Sequence, residues 1–388
     1  MDALAVWGGQ PHRLLYFAYG FLLMHAPWLI EADDLDLAIN VFVRWALMHT
    51  PAVVPRVNFD IASFSPDVSR YLFRFEPRNI LLLAPFLLGR QTFKTSQRDR
   101  FSPQEGLCML LHLLATPCRL LDMVPIFGRQ VGTISRIVTH VAGLVAQQAM
   151  RYLSGIDVTW VMQNAEDLTD AVEHLTGVET GLWGFVDGKF FFLGSLQRNG
   201  VAFYTYKKRY AIKFQLVLCA LGLAHCLNGP YLGTWHDWRV CQDSGILQPL
   251  AQIAQLGVQA NPNAALSLVI GGDSAYCPRP GLVTLKKELQ LAHNPNLRPF
   301  HDAVREARTE IEHFFALVTN LWQTLRAQDK MRLLQRPVSD YVWTGVFLTN
   351  CWTCANGGNQ ISDRFGATVP VLATYLRECT SRAQRMNL

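Results

Sequence analysis

Three carboxylates in three different local settings are the residues of this chain best suited to chemistry. Asp187 lies in a Gly-Phe-Val-Asp-Gly-Lys segment, Asp273 in Gly-Asp-Ser-Ala-Tyr, and Glu312 in Arg-Thr-Glu-Ile-Glu-His. The first two lie at the edges of apolar runs typical of β-strands, and the third lies in a run with helical spacing. Carboxylates from two strands and a helix could form one oxygen-rich site for two Mg²⁺ or Mn²⁺ ions. Two such ions can drive phosphodiester cleavage and strand transfer.

The bulk composition predicts a folded protein with more than one packed unit. The chain has 388 residues, of which 50% are hydrophobic and 17% are charged. This balance excludes extensive disorder, and the length exceeds one typical core. The net charge of +5 is a mild positive balance that permits a polyanionic partner without requiring one.

The sequence predicts a soluble intracellular protein. No basic segment precedes an apolar stretch at the start of the chain, so no secretory signal is visible. The most apolar early segment, residues 16–30, contains His25 and Pro27 and is shorter than the ~20 residues that a membrane span needs. We therefore expect no membrane association and nine reduced cysteines. Cys351 and Cys354, the only close pair, lie in an apolar segment and are interpreted as buried core residues.

The first 170 residues are predicted to be helical. Residues 1–100 show apolar residues at helical spacing, with loops at prolines. In residues 101–170, Ser102 followed by Pro103 and Glu105 predicts a helix start. Two further helical patterns cover 120–127 and 131–145. This layout resembles a helix-turn-helix unit in which Arg129 and Arg136 are available to DNA, and an ordinary three-helix packing unit fits it equally well.

Residues 171–388 are predicted to form a catalytic α/β domain with C-terminal helices. Strands are expected at 182–192, 210–221, 223–231 and 266–270, and helices at 236–255, 304–325 and 338–355. This order is the one expected of an RNase H-like fold, a mixed sheet flanked by helices. The predicted fold class is therefore α/β, preceded by an all-α region.

Several motifs, in order along the chain, resemble those of the PIF/Harbinger superfamily of DDE transposases. The similar blocks surround Asp187, the basic residues before the second strand, a Gly-Pro…His-Asp…Ser-Gly stretch, Asp273, and Glu312. They cover about residues 100–376. The chain departs from the family pattern at Lys189, where the family often has Thr, and at His313 and Ala316, where it has Trp and Gly.

The resemblance implies an enzyme in which Asp187, Asp273 and Glu312 bind two Mg²⁺ or Mn²⁺ ions. Its substrate would be double-stranded DNA, hydrolysed at transposon ends before the freed 3′-OH attacks target DNA. It also implies a homo-oligomer, a separate Myb-like accessory protein and a nuclear location. The alternatives are a domesticated DNA- or chromatin-binding protein that kept the fold, and a nuclease without transposition activity.

Residues around the three carboxylates leave specific alternatives open. Glu310 rivals Glu312, but two positions on a helix are about 200° apart, so only one can face the site. His236 and Asp237 are candidates for orienting a ligand, and Asp237 could instead cap a helix. Arg308 could contact phosphate or pair with Glu312. The other basic residues assigned to DNA are Lys207, Lys208, Arg209, Lys286, Lys287 and Arg305.

Overall fold

The computed structural model describes residues 54–95, 97–195, 200–260, 267–285 and 295–387. The chain divides into two compact units, residues 1–55 and 56–388. The helices expected within residues 1–53 lie outside the described residues, as do Lys286 and Lys287. Elements below are numbered in chain order over the described ranges.

The part of the second unit that precedes the sheet is built mainly from helices. A 3₁₀ turn at Ile61–Ser63 precedes the helices. A hairpin of two short antiparallel strands, β1 (Phe93–Lys94) and β2 (Arg100–Phe101), interrupts them. The helices are α1 (Pro66–Phe73), α2 (Pro77–Leu88), α3 (Pro103–Ala115), α4 (Val124–Phe127), α5 (Val131–Leu153), α6 (Val158–Gln163) and α7 (Ala165–Thr176).

The predicted start of α3 is confirmed. The Ser102 hydroxyl accepts a hydrogen bond from the Glu105 backbone N–H at 3.1 Å, and Pro103 occupies the first turn. The next predicted helix is a 3₁₀ turn, Leu120–Met123, followed by the four residues of α4, which ends at Gly128 with φ +61°. α5 is eight residues longer than expected, since it continues to Leu153 with its apolar side buried.

The described part of the sheet has five strands, β3 (Leu182–Phe192), β4 (Ala211–Cys219), β5 (Ala224–Leu232), β6 (Val269–Gly272) and β7 (Leu282–Thr284), in the order β5-β4-β3-β6-β7. β3, β4 and β5 form an antiparallel meander, whereas β6 and β7 run parallel to β3. β4 is buried along its whole length. A mixed sheet flanked by helices confirms the predicted fold class and is consistent with an RNase H-like fold.

Six helices complete the described chain: α8 (Asp237–Asp243), α9 (Leu247–Ala260), α10 (Arg298–Leu321), α11 (Val338–Ala355), α12 (Gln360–Arg364) and α13 (Leu372–Arg385). The single helix expected at 236–255 is divided in two at Gly245, whose φ of +72° no helix accepts. α10 starts six residues before the predicted helix, and the three-residue β7 was not predicted. The bounds of β3 and α11 match the predictions.

α11 lies at the centre of the packing, because it contacts both α5 and the sheet. Its Asn350 side chain accepts a hydrogen bond from the Ala224 N–H at 2.9 Å and donates one to the Ala224 carbonyl at 2.8 Å, which ties the helix to β5. Cys351 and Cys354 are buried free thiols, as predicted. No helix in the described ranges has the length and apolar character needed to cross a membrane.

Candidate active site

The register of two parallel strands brings Asp187 and Asp273 side by side. Val186 on β3 is the partner of Gly272, the last residue of β6. The next residue on each chain is an aspartate, and neighbouring strands lie about 4.8 Å apart. Asp273 Oδ1 accepts the Ala275 N–H at 2.9 Å in the turn after β6. The two aspartates therefore lie on neighbouring backbone segments where β6 ends, the edge at which α/β sheets usually bind ligands.

Asp187 is in an environment that opposes its negative charge. Burial raises the pKa of Asp187 to about 6, and the nearby charges of Asp273 and Asp237 add to the increase. The Gly188 N–H, which donates to Asp187 Oδ1 at 2.8 Å, and the Arg308 guanidinium act in the opposite direction. Three carboxylates and one guanidinium thus influence one another at this position.

Glu312 lies beside the same group but is held by a cation of its own helix. α10 packs against β3, and Arg308 Nη2 donates to Glu312 Oε1 at 2.7 Å. The Glu312 side chain is 58% exposed. Its charge acts on Lys189. Burial is the largest influence on the pKa of Lys189 and lowers it, and the charges of Asp187 and Glu312 partly oppose this decrease. Glu312 therefore borders the site while it is paired with Arg308.

Glu310, the sequence rival of Glu312, faces the interior. It is fully buried and forms an ion pair with Arg364. Its Oε2 also lies 3.0 Å from His313 Nδ1. The two glutamates thus point to different sides of α10: Glu310 to the interior and Glu312 to the surface.

Asp237 packs directly on the backbone beside Asp187. It is the first residue of α8, and His236 at the cap position makes no side-chain capping bond. Asp237 Oδ1 lies 2.9 Å from the Nζ of Lys213, a side chain that is only 3% exposed. A Cβ added to Gly188 would lie 1.9 Å from Asp237 Oδ1, so only glycine fits there. Asp237 is not the N-cap residue of α8, because His236 occupies that position.

Lys213 lies in the strand predicted at 210–221, but the sequence assigned it no role. Its Nζ also donates to the Trp235 carbonyl at 3.0 Å and lies 4.7 Å from the centre of the Phe190 ring. The sequence signal that could have revealed this role is a single lysine within a largely apolar strand. A buried ammonium must be paired with an acidic group, so such a lysine indicates a buried partner. Tyr276, which was noted only as part of the Asp273 motif, is a second such residue. Its pKa is raised well above the usual value, first by burial and then by Asp237, Asp187 and Asp273.

The basic residues predicted to contact DNA fall into separate groups. Lys207, Lys208 and Arg209 are exposed on one turn before β4. Arg305 lies on α10, with its Nη1 3.5 Å from Asp302 Oδ1. Arg129 and Arg136 are held by carboxylates within the helical region: Arg129 binds Glu105 through two nitrogens, and Arg136 binds Asp99 in the same way.

Asp187 and Asp273 lie on or just after neighbouring strands and Glu312 lies on a helix that packs against β3, but the three do not form a set of converged metal ligands. Within the described ranges, no three His, Cys, Asp or Glu side chains converge closely enough to hold a metal ion. The Arg308–Glu312 pair is one physical reason, because it directs Glu312 toward a guanidinium. The donor set itself, consisting of carboxylate oxygens, is of the type that Mg²⁺ and Mn²⁺ prefer.

Comparison with known proteins supports a nuclease domain. Residues 186–350 match the family model described as DDE superfamily endonuclease. The matched segment starts one residue before Asp187 and includes Asp273 and Glu312, although it covers less than half of the chain. Searches of curated proteins and of solved structures found no match. Residues 186–350 are therefore similar to DDE superfamily endonucleases.

Proposed function

We propose that this protein is a metal-dependent DNA endonuclease and, more specifically, a transposase of the PIF/Harbinger type. The observation that carries the proposal is the Val186–Gly272 register, which sets Asp187 beside Asp273 within the segment that matches DDE endonucleases. The general nuclease function rests on the family match. The subfamily rests on the sequence motifs alone.

The residues at the site suit a divalent metal. The raised pKa of Asp187 reflects a carboxylate that is buried beside Asp273 and Asp237, and a cation at this position would offset that burial and repulsion. Asp187 would hold both ions, Asp273 one of them and Glu312 the other. When bound, such ions lower the pKa of an attacking water and stabilise the leaving 3′ oxygen.

The protein's own residues would prepare the site in three ways. Asp237, fixed by Lys213, supports the Gly188 backbone and so the position of Asp187. Arg308 would release Glu312 and bind a DNA phosphate instead. The third carboxylate would then be free, and the guanidinium would neutralise the charge of the phosphate. Lys207, Lys208, Arg209, Arg305, Lys286 and Lys287 would attract the remaining phosphates toward an acidic site that otherwise repels DNA.

The proposal extends to partners and location. A transposase must hold two DNA ends, so we propose a homo-oligomer acting on double-stranded DNA in the nucleus. A Myb-like accessory protein belongs to the same proposal. Each of these points derives from the family resemblance.

A domesticated DNA-binding protein is the second candidate. The Arg308–Glu312 ion pair favours it, since the third carboxylate is already neutralised by its own helix. A nuclease that cuts without joining strands is a variant of the leading proposal.

The test is nicking of supercoiled plasmid by the purified protein in Mg²⁺. We expect Asp187→Asn to reduce nicking by about 100-fold or more, because it removes a charged metal ligand. Asp67→Asn, an exposed aspartate on α1, is the matched control and should nick like the wild type. Thermal melting in EDTA should show that Asp187→Asn is folded and at least as stable, since it removes a buried charge.

Equal nicking by Asp187→Asn and the wild type would refute the enzymatic proposal. Flanking DNA is then searched for inverted repeats, and pre-cleaved ends with that sequence separate the candidates. Joining to plasmid supports the transposase, nicking alone supports the nuclease, and binding without either supports the domesticated protein.

A further inference from the structure

A rigid turn before β4 presents aromatic and basic side chains together. An antiparallel bridge between Tyr204 and Tyr210 closes the turn. The backbone N–H and the hydroxyl of Thr205 both donate to the Arg209 carbonyl at 2.9 Å, and Lys208 N–H donates to the Thr205 carbonyl at the same distance. Thr205 is buried beneath the turn. These bonds hold the residues at the tip in one conformation.

Tyr206, at this tip, is 79% exposed although its ring is not isolated. It meets the Phe190 ring edge-on at 5.8 Å between centroids, and Phe192 lies 6.3 Å beyond Phe190. Lys207 Nζ lies 5.8 Å from both the Tyr206 and Phe190 rings, and the Arg209 guanidinium lies 3.7 Å above Phe192. We call Tyr206, Lys207, Phe190, Arg209 and Phe192 the tip platform.

The tip platform and Asp187 lie on opposite faces of β3. Phe190 follows Asp187 by three residues, about 10 Å along the strand, and successive side chains of a strand point to alternate faces. Within the described residues, β3 has no partner strand on the β6 side beyond Val186. A DNA strand with a phosphate at Asp187 would reach the platform by passing around this edge of β3.

We propose that the tip platform stacks an unpaired base of a DNA strand bound by this protein. Cations alone are enough to contact the phosphates of a duplex. An exposed aromatic ring next to cations provides, in addition, a surface on which a base with a free face can stack. Bases inside a duplex are already stacked, so the platform selects a strand that is locally opened. This inference rests on the proposed nuclease function.

The test measures DNA binding in EDTA, so that it does not depend on cleavage. The probes are fluorescent oligo(dT), an abasic oligonucleotide with the same number of phosphates, and a matched duplex. We expect Tyr206→Ala to weaken oligo(dT) binding about fivefold or more, with little change for the abasic strand. Tyr206→Phe, which keeps the ring, should retain wild-type affinity. Tyr71→Ala removes an equally exposed tyrosine from α1 and should change nothing.

Two outcomes would overturn the inference: unchanged oligo(dT) binding in Tyr206→Ala, or equal losses for oligo(dT) and the abasic strand. Equal losses would mean that the tyrosine acts only through the fold or the charge around it. Lys207→Gln provides the contrast, since losing a cation should weaken all three probes alike. If Tyr206→Ala is misfolded by circular dichroism, the ratio of oligo(dT) to abasic affinity is compared between Tyr206→Phe and Tyr206→Leu, with a fall in the leucine variant expected.

The nicking assay separates this inference from the proposed function. Nicking by the wild type combined with no effect of Tyr206 on oligo(dT) binding rejects only the platform. A ring-dependent preference for oligo(dT) without any nicking keeps the platform and rejects the enzyme.

Discussion

At the scale of single residues, two glutamates on α10 show how surroundings define a role. Glu310 is fully buried between Arg364 and His313, whereas Glu312 is 58% exposed beside Arg308. Removing one partner of a buried ion pair leaves an uncompensated charge, while an exposed pair contributes little stability. The two carboxylates therefore differ in what they contribute, even though they are two positions apart.

Exchanging each glutamate for glutamine should separate stability from activity. We expect Glu310→Gln to lower the free energy of unfolding by about 1–3 kcal/mol, because it weakens bonds to Arg364 and His313, whose side chains remain half exposed to water. Glu312→Gln should change it by less than about 1 kcal/mol but abolish Mg²⁺-dependent nicking. Urea denaturation and the plasmid assay measure the two effects. A stable, inactive Glu310→Gln together with an active Glu312→Gln would reverse the assignment.

At the scale of secondary structure, the contact between β3 and α8 depends on the absence of a side chain. Gly188 allows Asp237 to approach the strand, and Lys213 from β4 holds that carboxylate at 2.9 Å. A strand, its neighbour and a helix N-terminus therefore meet next to Asp187. This arrangement gives the candidate active site a rigid support.

Adding one methyl group at this contact should disrupt it. We expect Gly188→Ala to lower the free energy of unfolding by about 1–3 kcal/mol and to reduce nicking, because Asp237 must move. Gly132→Ala on α5 is the matched control, since its new Cβ would meet only Arg136 Nη1 at 3.4 Å. That variant should be neutral or more stable by up to about 1 kcal/mol.

A double-variant cycle measured by urea denaturation tests the cause. In an Asp237→Ala background, Gly188→Ala should cost less than it does in the wild type, because the clashing oxygen is gone. Additive costs would show that Gly188 is required for another reason.

At the scale of the whole molecule, buried histidines connect stability to pH. His225 on β5 accepts a hydrogen bond from the Asp157 N–H at 3.3 Å through Nε2 and lies between the Trp160 and Trp183 rings. Burial lowers its pKa well below 6.5, and the charge of Arg382 acts in the same direction. His112 is shifted in the same direction, also chiefly by burial.

Acid should therefore destabilise the fold through these histidines, while Asp187, whose pKa burial raises to about 6, acts in the opposite direction. The unfolded chain takes up a proton on His225 below about pH 6.5 and the native state does not, so the free energy of unfolding falls as the pH falls. The slope from His225 is about 1.4 kcal/mol per pH unit. We expect His225→Phe to have a shallower slope between about pH 6 and pH 5, measured by urea denaturation, even if it is less stable at neutral pH. Equal slopes would contradict this account.

The sequence by itself determined most of the longer elements and the order of the candidate motifs along the chain. The bounds of β3 and α11 were predictable because long apolar runs ended at residues that terminate strands and helices, and Ser102 marked α3 because capping is local. The motifs around Asp187, Asp273 and Glu312 lie in the segment that matches DDE endonucleases, so the similarity to this family was predictable too. Their roles as metal ligands stay a prediction.

Only the tertiary structure decided which partner each side chain has. Arg129 and Arg136 were candidates for DNA contact, yet they bind Glu105 and Asp99. Arg308 could have contacted phosphate or Glu312, and it pairs with Glu312. Lys213 became important through Asp237, 24 positions further along the chain. The physical reason is that spacing determines which face a residue occupies, whereas its charge is satisfied by whatever distant group the folded chain brings within a few ångströms.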